Sequence, residues 1–245
     1  MKSSGKPCPI CSCKSTVSPE DDEYLRCLEC GVIRTKYDYE ANQYGTAYAM
    51  NYLEYAKSPV NKSLNLFRLG LVARWLKENS TILDVGCCVG EFLRFAENHY
   101  ECDGFEPNPV AAREAVKRTH STIFESLNGH KQYNCITMFD VLEHIQQPKT
   151  LLTHLYEILR PRGIIAITTP DASCAIDYNS VTIDGNIRAW KHWKPKEHLF
   201  LFTRRSLAIL FEGFGFEIVH VGMEESDIRP GNPNGDIITM VAVKG

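Results

Sequence analysis

From residue 81 onward, short and almost wholly apolar runs alternate with stretches in which apolar residues recur every three or four positions. Continuous apolar runs mark strands buried on both faces, and the three-to-four step is that of a helix with one buried side. The pattern predicts strands near 81–86, 101–106, 121–125, 134–139 and 163–168, and helices near 89–98, 108–118, 148–159 and 204–213. Such alternation calls for a largely parallel sheet, because parallel neighbours need a long crossover between them. The end of the chain reads differently. Apolar runs at 216–221 and 237–243 are joined by 223–236, rich in Gly, Pro, Asn and acidic residues, and strands joined by a loop pair antiparallel. The expectation is an α/β fold with a seven-stranded, mostly parallel sheet and a C-terminal antiparallel hairpin.

The front of the chain has its own pattern. Leu64, Phe67, Leu71 and Trp75 predict a helix from about residue 60 to 76, packed on the sheet that follows. Before it, Tyr37, Tyr39, Tyr44, Tyr48, Tyr52 and Tyr55 crowd into nineteen positions, and those at 44, 48, 52 and 55 share one helical face. Aromatic stripes are usually core, so packing on the main domain is expected for most of them, with a lid over cofactor or substrate as the alternative. Earlier still, Cys8-Pro9-Ile10-Cys11 and Cys27-Leu28-Glu29-Cys30 stand fifteen residues apart, the spacing of a small four-cysteine zinc ribbon. Cys8, Cys11, Cys27 and Cys30 are the candidate ligands, and Cys13 is a replacement for Cys11 or a spare thiol. A closed site of this kind is structural: zinc supplies folding energy that about thirty residues cannot draw from their own core. The chain thus divides into a ribbon (1–34), a tyrosine-rich helical linker or lid (35–78) and a main domain (79–245).

Composition narrows the function classes. With 245 residues, 44% of them hydrophobic, the chain can bury one large core plus a small satellite. Twenty-seven basic against thirty acidic residues leave a formal charge of −3, which argues against nucleic acid as a partner through overall charge. No apolar run reaches the ~20 residues of a membrane span, and the start lacks a signal-peptide core, so a cytoplasmic protein without membrane attachment is expected.

Residues 82–93 carry the first chemistry. Ile82-Leu83-Asp84-Val85-Gly86-Cys87-Cys88-Val89-Gly90 is a buried strand running into small residues before a helix, and twenty-two positions after Asp84 the next strand ends in Glu106-Pro107. A βαβ unit places those strand ends side by side, where backbone approaches a nucleotide and a carboxylate accepts from both ribose hydroxyls. These residues favour S-adenosylmethionine as the ligand and methyl transfer as the reaction.

Further segments carry a resemblance. Phe139-Asp140-Val141-Leu142-Glu143-His144, Leu159-Arg160-Pro161-Arg162-Gly163, Thr168-Thr169-Pro170, Glu197-His198-Leu199 and Gly213-Phe214-Gly215-Phe216-Glu217 together resemble the class I S-adenosylmethionine-dependent methyltransferases. Within them, the chain is similar to the Leu-Glu-His group that includes quinone-biosynthesis and sugar O-methyltransferases, and its ribbon and tyrosine-rich helix look like the front end of several sugar and natural-product methyltransferases. The resemblance implies a Rossmann-like domain from residue 81 to 243. It implies that Gly86 admits the methionine part, that Asp84 orders the loop, that Gly90 opens the helix and that Glu106 binds the ribose. Pro107 and the Ser126-Leu127 region would flank the adenine, and the carbonyls near Met138 and Phe139 would face the methionine ammonium. Cys88 departs from the family's Gly-x-Gly-x-Gly loop, which implies a slightly crowded turn that still binds cofactor.

The acceptor side is less defined. His144 and His198 are the candidate general bases, since histidine titrates near neutral pH, and bracing the turn after the fourth strand is the other reading of His144. Asp140, Glu143, His144 and His198 also resemble the divalent-metal ligands of small-RNA 2′-O-methyltransferases, so a second metal is an alternative cofactor. The Asn/Asp-Pro-Pro-aromatic motif of amino N-methylation is absent. Trp190 and Trp193 among Arg188, Lys191, Lys194 and Lys196 suit a sugar, a nucleotide-linked sugar or a phosphate, and equally a solvated loop or a single-stranded RNA end. The expected reaction is O-methylation of a small-molecule hydroxyl, with C-methylation of a keto deoxysugar and RNA 2′-O-methylation as alternatives.

Overall fold

The computed structural model describes residues 2–3, 5–18, 23–37, 45–127, 131–175, 187–230 and 235–245. Four short strands come first: β1 (Lys2–Ser3), β2 (Thr16–Ser18), β3 (Tyr24–Cys27) and β4 (Ile33–Thr35). Two helices follow, α1 (Thr46–Tyr55) and α2 (Pro59–Ala73). Ser58 starts α2 by accepting from the Asn61 amide, and Pro59 occupies the first turn, where a missing N–H costs nothing.

The main domain alternates as its hydrophobic pattern requires. Its elements are β5 (Thr81–Val85), α3 (Glu91–Ala96), β6 (Glu101–Phe105), α4 (Pro109–Arg118), β7 (Thr122–Phe124), β8 (Tyr133–Phe139), α5 (Pro148–Ile158) and β9 (Leu159–Pro170). After them come β10 (Phe200–Leu201), α6 (Arg204–Glu212), β11 (Phe216–Gly222), α7 (Glu224–Ile228) and β12 (Ile237–Lys244). The seven-stranded sheet runs β11-β12-β9-β8-β5-β6-β7. The five strands from β7 to β9 are parallel and the last two join antiparallel, the Rossmann-like arrangement with its terminal hairpin. Strand order reverses between β5 and β8, so a crevice opens beyond their C-terminal ends, where ligands of such sheets bind.

Several details differ from the sequence expectation. Strand β9 begins at Leu159, because the chain leaves α5 directly into pairing with β8 across a bulge at Tyr133/Cys135. Helix α3 is shorter than 89–98, since Gly90 sits at φ +81 in the N-cap position and cannot continue a right-handed turn. The 223–236 connection contains α7, whose Glu225 and Ser226 are buried despite the polar composition around them.

The cysteine-bearing strands are not a detached satellite. They form a sheet ordered β1-β2-β3-β4-β10, in which β10 pairs antiparallel with β4 through Phe200↔Arg34 and Leu201↔Ile33. Cys8, Ile10, Cys27, Cys30 and Val32 share one apolar core with Leu142, Leu199, Phe200 and Phe202. Thr203 caps α6 and donates its hydroxyl to the Cys30 carbonyl at 2.8 Å. Tyr39 and Tyr44 and the side chain of Tyr48 lie outside the described residues. Tyr52 and Tyr55 are 38% and 42% exposed, and among the described α1 side chains Ala49 and Leu53 pack inward, against Val89 and Ala111.

Candidate functional site

A cleft of about 390 Å³ opens where the topology predicts, walled by α1, α2, the β5–α3 turn and the end of β8. Asp84, Gly86, Cys87, Cys88, Val89 and Phe139 line it. Asp84, the penultimate residue of the buried β5, accepts from the Thr137 hydroxyl at 2.7 Å. Burial holds its carboxyl up at about 7. The Gly86 and Cys87 amides both donate to the Phe105 carbonyl, at 2.8 and 3.1 Å, which folds the turn over the end of β6. Gly86 is at φ +74, and a Cβ there would meet Val141 Cγ2 at 2.5 Å, so both conformation and space require glycine.

Glu106 stands directly beside this turn. Its carboxylate accepts from the Cys88 amide at 2.9 Å and the Asn108 amide at 2.8 Å, while Asn108 itself caps α4. Two fixed amides aim the buried carboxylate, and each of its oxygens has a further lone pair for a ligand hydroxyl. Pro107 is exposed on the outer side of this corner, as is Ser126, and Leu127 is half-buried against the main core.

Cys88 has a left-handed backbone at φ +49, and burial pushes its thiol up to about 12. The crowding expected at this position is therefore backbone strain. A non-glycine residue in that region costs roughly 1–2 kcal/mol, so Cys88→Gly is expected to stabilise the fold by about 1 kcal/mol. For a chain of this size that raises the melting temperature by about 2–4 °C, with cofactor affinity retained. A lower melting temperature in a thermal scan would contradict this reading.

Apart from Asp84 and Asp140, the charges in and around the cleft come from residues that sequence reasoning passed over. Arg68 on α2 donates to Asp140 at 2.9 Å and to Glu225 at 2.5 and 3.1 Å, and its guanidinium lies 4.6 Å from the centre of the Phe139 ring. Arg229, just after α7, donates to Asp140 at 2.6 Å and also binds Glu225. The four charges balance, and the two guanidinium groups hold the Asp140 carboxyl well below the usual range. Asp140 is at φ +59, which turns its side chain toward the arginines. One signal was readable: Arg68 falls four residues after Leu64 on the apolar side of its helix.

The two candidate bases meet. His144, in the turn after β8, and His198, just before β10, have ring centres 4.9 Å apart. His144 Nδ1 lies 2.9 Å from the Glu197 carbonyl and His198 Nδ1 lies 2.8 Å from the His192 carbonyl. A carbonyl can only accept, so both rings carry a proton on Nδ1 and present an Nε2 lone pair. Burial lowers both, His198 to about 3. Glu143 is buried, accepts from Thr169 Oγ1 at 2.9 Å, and is pushed up to about 8 by burial and by the Asp140 charge. One ligating atom each from Glu143, His144 and His198 falls within 4.8 Å of the others. Asp140, the fourth residue of the expected second-metal set, is not among them, because its carboxylate is held by Arg68 and Arg229.

Three basic residues of the 187–197 segment are paired while remaining exposed at the surface. Arg188 pairs with Glu23, Lys194 with Glu197, and Lys191 with Asp236. Trp193 stacks edge-on against Tyr24 of β3 at 5.6 Å. The Sγ atoms of Cys8, Cys11, Cys27 and Cys30 gather within 4.8 Å and could hold a metal ion. Cys8 and Cys30 are 3.6 Å apart and Cys11 and Cys27 3.5 Å, close to the about 3.8 Å edge of a tetrahedron with 2.3 Å zinc–sulfur bonds. The Ile10 and Cys11 amides point at Cys8 Sγ and the Cys30 amide at Cys27 Sγ, at 3.4–3.5 Å, so the turns also supply donors to thiolate charge.

Comparison with known proteins agrees with this geometry. The family described as a methyltransferase domain matches residues 52–221. The mitochondrial ubiquinone biosynthesis O-methyltransferase of Schizosaccharomyces pombe is 26% identical over 126 residues, which are 43% of this chain and 45% of that protein. The match thus spans less than half of that relative's length. Among solved structures, the N-methyltransferase NodS of Bradyrhizobium japonicum with S-adenosylhomocysteine superposes with a TM-score of 0.55 at 18% identity, covering 77% of this chain and 89% of that one. Magnesium protoporphyrin IX methyltransferase of Synechocystis, also with bound S-adenosylhomocysteine, gives 0.56 at 15% identity over 75% and 83%. The plantazolicin methyltransferase BpumL gives 0.58 at 14% over 81% and 90%. With a dinucleotide-type turn, an aimed acid after β6 and a family match over most of its length, the chain belongs to the methyltransferase-domain family and carries an S-adenosylmethionine-dependent methyltransferase domain.

Proposed function

We propose that this chain methylates a hydroxyl of a small metabolite, a sugar or nucleotide-linked sugar first, with His144 or His198 as the general base. The observation that carries the reading is the meeting of two neutral histidines whose tautomers leave Nε2 as the accepting atom. S-adenosylmethionine supplies an electrophilic methyl group when bound. The protein then has to align an acceptor in line with it and take a proton from a hydroxyl. The cofactor roles assigned to Asp84, Gly86, Cys88, Gly90, Glu106, Pro107 and Phe139 belong to the same proposal. So does a structural zinc ion at Cys8, Cys11, Cys27 and Cys30, supported by the sulfur geometry. None of the ten cysteines is in a disulfide, which supports a reducing, cytoplasmic compartment. Among the described residues no helix is long and apolar enough to cross a membrane.

A second reading is favoured by the convergence of Glu143 with the two histidines. A divalent cation held by these three residues would polarise vicinal hydroxyls and would draw the proton from Glu143. RNA 2′-O-methylation would use the same set, and a keto deoxysugar would use the histidines at carbon. A panel of sugars, nucleotide sugars, catechols and RNA ends, assayed for methyl transfer, tests the proposal. Turnover of a sugar or catechol hydroxyl supports it, and turnover of RNA alone would contradict it. Chelation and dialysis with the zinc retained should leave the rate unchanged on the histidine reading and abolish it on the divalent-cation reading.

A further inference from the structure

We propose that Cys13 is an oxidation-sensing thiol of the cysteine site, which peroxide joins to Cys27 so that the metal leaves and the acceptor-side histidines lose their support. The inference rests on the zinc reading above. Four sulfurs already form the candidate tetrahedron, and Cys13 is a fifth. Its Sγ lies 3.2 Å from Cys27 Sγ, nearer than Cys11 at 3.5 Å. The turn that places it is built for a return: Ser12 is left-handed at φ +63, and the Cys8 amide closes onto the Cys13 carbonyl at 2.8 Å. Cys13 is half-buried, at the outer side of the cluster, within reach of a small oxidant.

The chemistry balances with one peroxide. The Cys13 sulfur attacks one peroxide oxygen as its proton is lost, the O–O bond breaks, and Cys13 sulfenic acid and water form. The Cys27 thiolate, 3.2 Å away, then attacks the Cys13 sulfenic sulfur, an S–S bond forms, and the displaced hydroxide leaves as a second water once protonated. Two thiols are oxidised and one peroxide is reduced to two waters. Cys27 can no longer act as a thiolate ligand, and a three-sulfur site holds zinc less well.

The consequence follows from the sheet. Cys27 ends β3, and its amide donates to the Val32 carbonyl just before β4 at 2.9 Å. Strand β4 carries β10, and the Thr35 amide donates to the Leu199 carbonyl at 3.0 Å. His198 and the Glu197 carbonyl that fixes His144 lie immediately before that contact. The cofactor turn, by contrast, is built from β5, β6 and α3, outside this sheet. Oxidation should therefore disturb the histidines and spare the cofactor.

The test uses the full-length, zinc-loaded protein and hydrogen peroxide. Zinc release is followed with a colorimetric chelator, disulfides by peptide mass mapping, the histidines by their ring proton resonances, and S-adenosylhomocysteine binding by calorimetry. The expected result is loss of zinc with a Cys13–Cys27 bridge, shifted histidine resonances and unchanged ligand affinity. Cys13→Ser should keep its zinc and release it at least about tenfold more slowly under peroxide. Release from Cys13→Ser at the wild-type rate, or a wild-type bridge that excludes Cys13, would overturn the proposal while leaving the zinc reading standing. Wild-type protein purified and refolded with zinc that holds none would sink the zinc reading itself.

Discussion

Glu225→Ala is expected to destabilise the protein by about 3–5 kcal/mol, the largest stability effect of any single change at the site. Glu225 has a fully buried side chain and binds both Arg68 and Arg229. Removing it leaves two guanidinium groups facing one carboxylate, Asp140, in a part of the fold where α2, the end of β8 and α7 meet. An unpaired buried charge costs far more than an exposed pair ever contributes. The melting temperature should fall by about 10 °C, and cofactor affinity should fall with it because Arg68 and Asp140 line the cleft. Glu225→Gln, which keeps the shape and one acceptor, should cost clearly less. A loss below about 1 kcal/mol for the alanine variant, measured by denaturant unfolding, would contradict this account of the cluster.

The second large effect concerns turnover. On the proposed assignment, alanine at whichever of His144 and His198 is the base lowers kcat by about 10²–10⁴ and leaves the affinity for S-adenosylmethionine unchanged, once an acceptor is in hand. The pH dependence has a definite sign. Both histidines are pushed below their ordinary value, His198 to about 3, so both are already neutral at pH 7 and stay neutral as the solution is acidified. The histidines should therefore add no acid limb to the kcat/KM profile in the ordinary histidine range of about 6.5, where Asp84 of the cofactor cleft, held up at about 7 by burial, is the group that titrates. An acid limb near that value that persists in Asp84→Asn would mean that the base is an unperturbed group elsewhere.

Much of this architecture was legible from the chain. Strands β5 and β8 are buried along nearly their whole length and read as mainly apolar runs, while β6, with Glu101 and Asp103, was placed by its spacing from β5, which is why their positions and parallel order could be read. The Gly86 turn and the acid after β6 were legible because both depend on local chemistry at a fixed spacing. What escaped was held by long-range partners. The pairing of β10 with β4 joins residues more than 160 positions apart, and two-residue strands have no periodicity to read. Arg229 and Glu225 sit in a stretch whose polar composition resembles a loop, and only their burial against Arg68 gives them a role. The left-handed Asp140 was hidden as well, whereas the left-handed Cys88 stands where the family's loop has glycine and so gave a signal.

The central claim is that the turn after β5 and the carboxylate of Glu106 bind S-adenosylmethionine. Calorimetric titration of the protein with S-adenosylmethionine and S-adenosylhomocysteine, beside Glu106→Ala, tests it most directly. Micromolar binding to both ligands by the wild type is predicted, weakened at least about tenfold in the variant by the loss of hydrogen bonds to a charged acceptor. A Glu106→Ala protein that folds and binds as tightly as the wild type, or a wild type that binds neither ligand, would contradict it.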